Sequence, residues 1–538
     1  MPCWPMTRTW AWGCPIWHIV HLSIAGQDVA GVTIPGMPFI AIGHNRDIAW
    51  GLTNLMADQG DLFVEKIDPA DPGRVMFRGR WVRMEERRET IAVKGGLPIQ
   101  LTVRITPHGP LVQDLLKGQT QALALRWVAD VARDANDLDA FAAIDKARSW
   151  PEFRAALRLM GGIAQNFAYA DRHGNIGVQA GGRIPLRLGN PNGARYRVGW
   201  DGSQEWGGWV PFDKMPFSYN PSQGYLATAN TPPFRRPAPF YLSSNYEPRD
   251  RWLRITELLG AREKLSLADM GAVQTDIVWV GARALTAKLK EVYAAPPADP
   301  TERTALQLLA GWDGTMAADS PAAMLCAAFF EQLYTEIFSD EFGPDLTRQV
   351  RDFHNLRAVL VRQVLEGDSL WLDNVATPAR EGWPEVVRPA FSKAVAGLKQ
   401  ELGDTPAAWS WGALHTFEIK HPLGAVRWLA PYFNRGPFPM SGNAMTVDKA
   451  ESPGGSYSVN HGPSMRQITD FADIDGALIV LPGGESGIPA SPHYADDLRL
   501  WLKGQYHPLP LSRAAVESQL EGRLVLQPTA ATPPAATK

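Results

Sequence analysis

Gly43-His44-Asn45-Arg46-Asp47-Ile48-Ala49-Trp50-Gly51-Leu52-Thr53-Asn54 is a run dense in polar groups set between apolar, strand-forming segments. Before it, Trp17-His18-Ile19-Val20-His21-Leu22 alternates with the two-residue period of a half-buried strand. Asp28 to Ile34 is β-branched and ends at Pro35-Gly36, a turn signal. Phe39-Ile40-Ala41-Ile42, Ile48-Ala49-Trp50 and Leu62-Phe63-Val64 continue the same sheet. Taken alone, His44 and Asn45 read as turn residues.

Working outward, residues 74–130 read as further strands, including Glu89-Thr90-Ile91-Ala92-Val93 and Ile99-Gln100-Leu101-Thr102-Val103. Leu138 to Ala147 reads as a helix. Ser149-Trp150-Pro151-Glu152 opens another, with Ser149 and Glu152 spaced as a capping box. Phe167–Ala170 and Ile176–Gln179 form a predicted hairpin across Asp171-Arg172-His173-Gly174-Asn175. Residues 185–245, rich in Gly, Pro, Trp and Asn, read as irregular. Residues 249–425 read as mainly helical, and strand and loop return from about 440 to Leu511. The pattern predicts an α+β fold whose sheet is built from both ends of the chain.

The chain has 538 residues and a net charge of −3, which gives no electrostatic reason to expect nucleic acid or an anionic membrane as partner. No apolar window is long enough to span a membrane. Cys3, Cys14 and Cys326 make neither a disulfide framework nor a zinc spacing. The 20 Trp and 44 Pro suggest aromatic-lined, loop-rich surfaces, although core packing accounts for most of the Trp.

Two further stretches carry possible chemistry. Asp58-Gln59-Gly60-Asp61 sets two carboxylates three apart around a glycine, half of an oxygen site for a hard cation or an ordinary solvated turn. Gly224-Tyr225-Leu226-Ala227-Thr228-Ala229-Asn230-Thr231-Pro232-Pro233 places an Asn between an apolar segment and a Pro-rich loop. Its amide suits a developing oxyanion, and an Asx turn is the plainer reading.

These stretches, at these spacings, together resemble the penicillin acylase family of N-terminal-nucleophile hydrolases, in the region of its large (β) subunit. Asp28-Val29-Ala30-Gly31, Pro35-Gly36-Met37-Pro38, Gly442 to Val447 and His461-Gly462-Pro463-Ser464-Met465-Arg466 add to the resemblance, which runs from about Gly13 to Leu511. It implies a four-layer αββα sandwich with a large mainly helical insertion. It implies an amide hydrolase in which an N-terminal Ser attacks the carbonyl while its own α-amine takes the proton. The backbone N–H of Asn54 and the side chain of Asn230 would hold the oxyanion, and Arg251 would steady the site. Asp58, the Gly60 carbonyl and Asp61 would hold a structural Ca2+. Partners would be a small-molecule acyl amide, either a β-lactam side chain or an acyl-homoserine lactone, and a small (α) subunit from the same precursor. The resemblance also implies a periplasmic location, although no signal peptide is legible in this chain.

On this reading residues 13–248 hold the first half of the core with its irregular Trp/Pro/Gly-rich belt. Residues 249–425 are mainly helical, 426–511 are returning core strands and loops, and 512–538 are an extension ending in a disordered tail. The family's opening Ser, and an Asp-Pro-His-Leu-like stretch after it, are not found. Pro5 to Trp12 can be encoded so that another frame reads His-Asp-Pro-His-Leu-Gly-Val, so residues 1–12 are expected to be a wrong-frame or unstructured N-terminus. As written, the chain is expected to lack its nucleophile. Two other functions stay open: a non-catalytic acyl-ligand-binding protein, and a calcium-stabilised carbohydrate-binding protein.

Overall fold

Alternating side chains and tight turns build the first half of the chain into a meander. The computed structural model describes residues 16–527 apart from 25, 117, 235–237 and 368. The expectations for residues 1–12 and for the final tail therefore fall wholly or largely outside the described residues. β1 (His18–Ile24), β2 (Gln27–Thr33), β3 (Ile42–Asn45) and β4 (Ile48–Asn54) lie side by side. The strands Gln165–Asp171, Ile176–Gly181 and Phe217–Tyr219 extend them into one seven-stranded antiparallel sheet. β5 (Gly60–Val64) leaves that sheet and pairs with Leu123–Trp127.

Gly31 and Gly43 are register partners in β2 and β3. A Cβ on Gly31 would lie 2.1 Å from the Ile42 carbonyl oxygen, and one on Gly43 would lie 2.2 Å from that of Ala30. The close approach of these two strands thus requires glycine on both.

The helices Asp137–Ile144 and Trp150–Leu157 cover one face, where Trp150 and Phe153 meet Tyr169. Ala477, Ile479, Leu481, Leu509 and Leu511 join the same core. They belong to or flank a second, three-stranded sheet of Arg466–Ile468, Leu478–Val480 and His507–Pro508. Strand alternation turns Val480 the other way, onto Leu498 and Trp501 of the helix Asp496–Leu502. On that side Gln274, at the end of the helix Leu267–Gln274, donates to the Gln467 carbonyl at 3.0 Å. The layers run helix, sheet, sheet, helix. The returning strands do not join the large sheet, as the sequence suggested; they form their own sheet facing it. Trp17 ties the two ends by donating to Ser464 Oγ at 2.9 Å.

Residues 249–425 are largely helical, as expected, around a separate core that includes Leu325, Phe329, Phe391 and Trp409. The longest helix, Pro321–Arg351, is broken at Gly343, whose φ of +66° precedes Pro344. The Ser149 capping box does not form. Glu152 accepts from the Arg148 amide instead, and the Ser149 side chain makes no cap bond.

Candidate functional site

Asn54 is the last residue of β4. On one side its strand pairs with Gln165–Asp171, and the Leu55 amide donates to the Ala164 carbonyl at 3.3 Å. On the other side β3 pairs only as far as Gly43–Trp50. Strand alternation directs the Asn54 N–H to that open side, past the end of β3. The chain then turns sharply: Met56 has a φ of +60° and donates its amide to Asn54 Oδ1 at 3.0 Å.

Asn230 comes to this point from 176 positions away. Its Nδ2 donates to the Asn54 carbonyl at 2.9 Å. Asn230 itself sits at φ +61°, a left-handed conformation that Asn tolerates better than most residues. Pro232 and Pro233 then prevent the segment from entering a ladder.

Arg251, nearly inaccessible on the first turn of the helix Asp250–Gly260, donates through Nη2 to Asn230 Oδ1 at 3.0 Å and to the Ala229 carbonyl at 3.2 Å. Because a guanidinium only donates, this contact fixes which end of the Asn230 amide is oxygen and turns its NH2 toward Asn54. The structure thus brings Asn54, Asn230 and Arg251 into one contiguous group.

Behind that group lies a charge network that sequence reasoning missed. Glu247 Oε2 lies 3.4 Å from Arg251, 2.9 Å from His354 Nε2 and 3.8 Å from Lys449. His354 Nδ1 meets Glu451 at 2.8 Å, and Lys449 meets Glu451 at 2.9 Å. Burial alone would raise the Glu247 pKa, but Lys449, His354 and Arg251 outweigh it and hold the carboxyl well below the usual range. A second missed element is the bond between Thr53 and Thr228 hydroxyls at 2.9 Å, with Asn166 donating to Thr53 at 3.3 Å. It staples the residues just before Asn54 and Asn230. Glu247 and Arg251 stand four apart and Lys449 and Glu451 two apart. The contacts that join these pairs through His354, and Thr53 to Thr228, cross about a hundred positions or more, where no local motif points.

The expected calcium loop is arranged differently from the resemblance. Arg187 donates from Nε to both Asp61 oxygens, at 3.1 and 2.9 Å, and from Nη2 to the Asp58 carbonyl at 2.7 Å. Trp206 Nε1 donates to Asp61 Oδ2 at 2.5 Å, and Arg197 lies 3.9 Å from the same oxygen. The Asp58 carboxylate accepts from Tyr241 and, at 3.4 Å, from Ser243. Gly60 begins β5, in register with Trp127. Among the described residues no group of three His, Cys, Asp or Glu side chains is placed to hold a metal. Of the oxygens expected to hold a cation, the Asp61 carboxylate is engaged by guanidinium and indole donors and the Asp58 carboxylate by hydroxyls, so these side chains as arranged do not fit a metal.

Comparison with known proteins matches this arrangement to one family. The penicillin amidase family model covers residues 11–518. An acyl-homoserine lactone acylase, QuiP, of Pseudomonas syringae pv. syringae is 31% identical over 95% of this chain and 64% of its own length. Penicillin acylase 2 proenzyme of Pseudomonas sp. (strain SE83) is 30% identical over 94% of this chain and 64% of its own. This chain thus spans just under two thirds of the length of these relatives. The solved thermostable penicillin G acylase from Alcaligenes faecalis superposes with a TM-score of 0.72 at 25% identity, covering 98% of this chain and 96% of that one. With the family model matched over nearly all of its length and the acylase architecture reproduced, the chain belongs to the penicillin amidase family.

Proposed function

We propose that this chain is the large-subunit part of an acyl-amide hydrolase. The observation that carries the reading is the meeting of Asn230 with the Asn54 backbone at an open strand end, with Arg251 fixing the amide's orientation. One Nδ2 hydrogen of Asn230 is spent on the Asn54 carbonyl, and the other is available to a second acceptor. Together with the Asn54 N–H it makes a pair of donors for the negative oxygen of a tetrahedral intermediate. Neither donor changes charge during the reaction, so the stabilisation is preorganised. Glu247 and Arg251 act as positioning residues, and the Thr53–Thr228 bond keeps the two donors in register.

The nucleophile proposed for this chemistry is an N-terminal Ser whose α-amine takes the proton. The chain as written has no serine before Ser23, and we place that Ser upstream of it, with a small subunit completing the acyl pocket and an address in the periplasm. Among the described residues no helix is long and apolar enough to cross a membrane. The relatives' names supply the substrates to try: N-acyl-homoserine lactones and penicillin side-chain amides.

The test expresses the gene with its upstream sequence and assays both amide classes. Asn230→Asp keeps the size and removes the donor; kcat should fall roughly 10²–10³-fold with KM little changed. Full turnover in that variant would remove the oxyanion role. Saturable binding of acyl amides with no hydrolysis of either class would favour a non-catalytic acyl-binding protein instead.

A further inference from the structure

The Asp58–Asp61 loop carries its own cation. We infer that the Arg187 guanidinium is a permanent internal substitute for a metal ion, and that the loop leading away from Asn54 is fixed without calcium. A hard cation in such a loop has two tasks: to neutralise the buried carboxylate, and to bind carboxylate and backbone carbonyl oxygens at once so that the turn cannot open. Arg187 does both. Its Nε engages the Asp61 carboxylate while its Nη2 engages the Asp58 carbonyl, three residues earlier. Both side chains of the pair are buried, Arg187 at 1% and Asp61 at 0% exposure.

The surroundings suit a planar cation more than a spherical one. Arg187 lies over the Tyr241 ring at 5.3 Å from its centroid, and the same Tyr241 donates its hydroxyl to Asp58. Trp206 supplies a further donor to Asp61, and Arg197 brings a second positive charge within 3.9 Å. Arg197 is itself anchored by the Gln204, Asn190 and Leu188 carbonyls at 2.8 Å each. The two guanidinium groups already balance the Asp58 and Asp61 carboxylates, so a divalent ion entering here would have to displace a fixed, weakly screened positive charge from Asp61. The loop thereby gains a fixed, always-charged clamp that no chelator removes.

The experiment is made on the chain as it stands, by calcium equilibrium dialysis and thermal melting. The melting midpoint is expected to be the same in excess EDTA and in millimolar calcium chloride, with no stoichiometric calcium retained. One equivalent of bound calcium with a saturable rise in midpoint would overturn the inference. Arg187→Gln is expected to lower the midpoint by several degrees, and Arg187→Lys to recover only part of the loss, because an ammonium cannot reach carboxylate and carbonyl in the same fork. An Arg187→Gln variant as stable as the parent would also overturn it. Should that variant not fold, the calcium measurement on the parent chain decides alone.

Discussion

His108 lies buried between two glutamates, with Nδ1 2.8 Å from Glu65 and Nε2 2.9 Å from Glu205, and its ring is stacked on Phe63. Burial opposes its charge, but the hydrogen bonds and charges of Glu205 and Glu65 prevail and raise its pKa above the ordinary 6.5. For Glu205 burial acts upward, and the bond and charge of His108, with Arg126, pull its pKa below 4.5. The signs define a window. The histidine's contribution is complete below about pH 6.5 and is lost as pH rises through its elevated folded value. The glutamate's contribution is complete above about pH 4.5 and is lost on acidification through its lowered value. Stability measured by denaturant midpoint should therefore fall as the pH is raised above about 6.5, and His108→Gln should flatten that slope; an unchanged slope would refute the assignment. At this scale the sequence was readable only in part. Asn54, Asn230 and Arg251 were found through resemblance, and they do meet. Asp58 and Asp61 were read as half of an oxygen site because two carboxylates set around a glycine are legible from spacing, whereas the side chains that meet them are not. The neutralising Arg187 stands 126 positions away from Asp61, where no local pattern points to it.

Strands and helices were more legible than their ends. The hairpin expected at 167–179 is present as Gln165–Asp171 and Ile176–Gly181, because alternation and a Gly-bearing turn suffice to specify it. What holds that turn was not legible. Asp171 accepts from the His173 and Asn175 amides at 2.9 and 3.0 Å, and from the Tyr169 hydroxyl at 2.8 Å. The capping box at Ser149 failed because Glu152 found a different amide. The facing glycines of β2 and β3 supply the sharpest test of an element. Gly31→Ala sets a methyl against the immovable Ile42 carbonyl at a φ of +156°, so it should destabilise the fold by more than about 1 kcal/mol, read from the shift in denaturant midpoint. A neutral result would mean that the two strands can separate there.

The helical block has a core of its own, and there the packing argument applies without reference to the site. Phe391 is fully buried, meeting Tyr293 and Phe329 edge-on. Phe391→Ala should cost about 3–5 kcal/mol in equilibrium unfolding, while leaving the contact of Asn230 with Asn54, on other elements, intact. Burial raises the Cys326 thiol pKa well above its ordinary value, so it should resist thiol reagents until the block unfolds. Layer order followed from the resemblance. The separation of the returning strands into a second sheet did not follow from periodicity, since a strand's pattern states which faces are buried and not which strand lies beside it.

The Trp17–Ser464 bond joins positions 447 apart. During synthesis the opening strand leaves the ribosome long before its partner exists, so the first sheet must wait with one apolar face uncovered until the last segment arrives. A nascent chain stopped short of Arg466 should therefore remain protease-sensitive and associate with itself. The covering of the first sheet is thereby deferred until the stretch around Arg466 has been made.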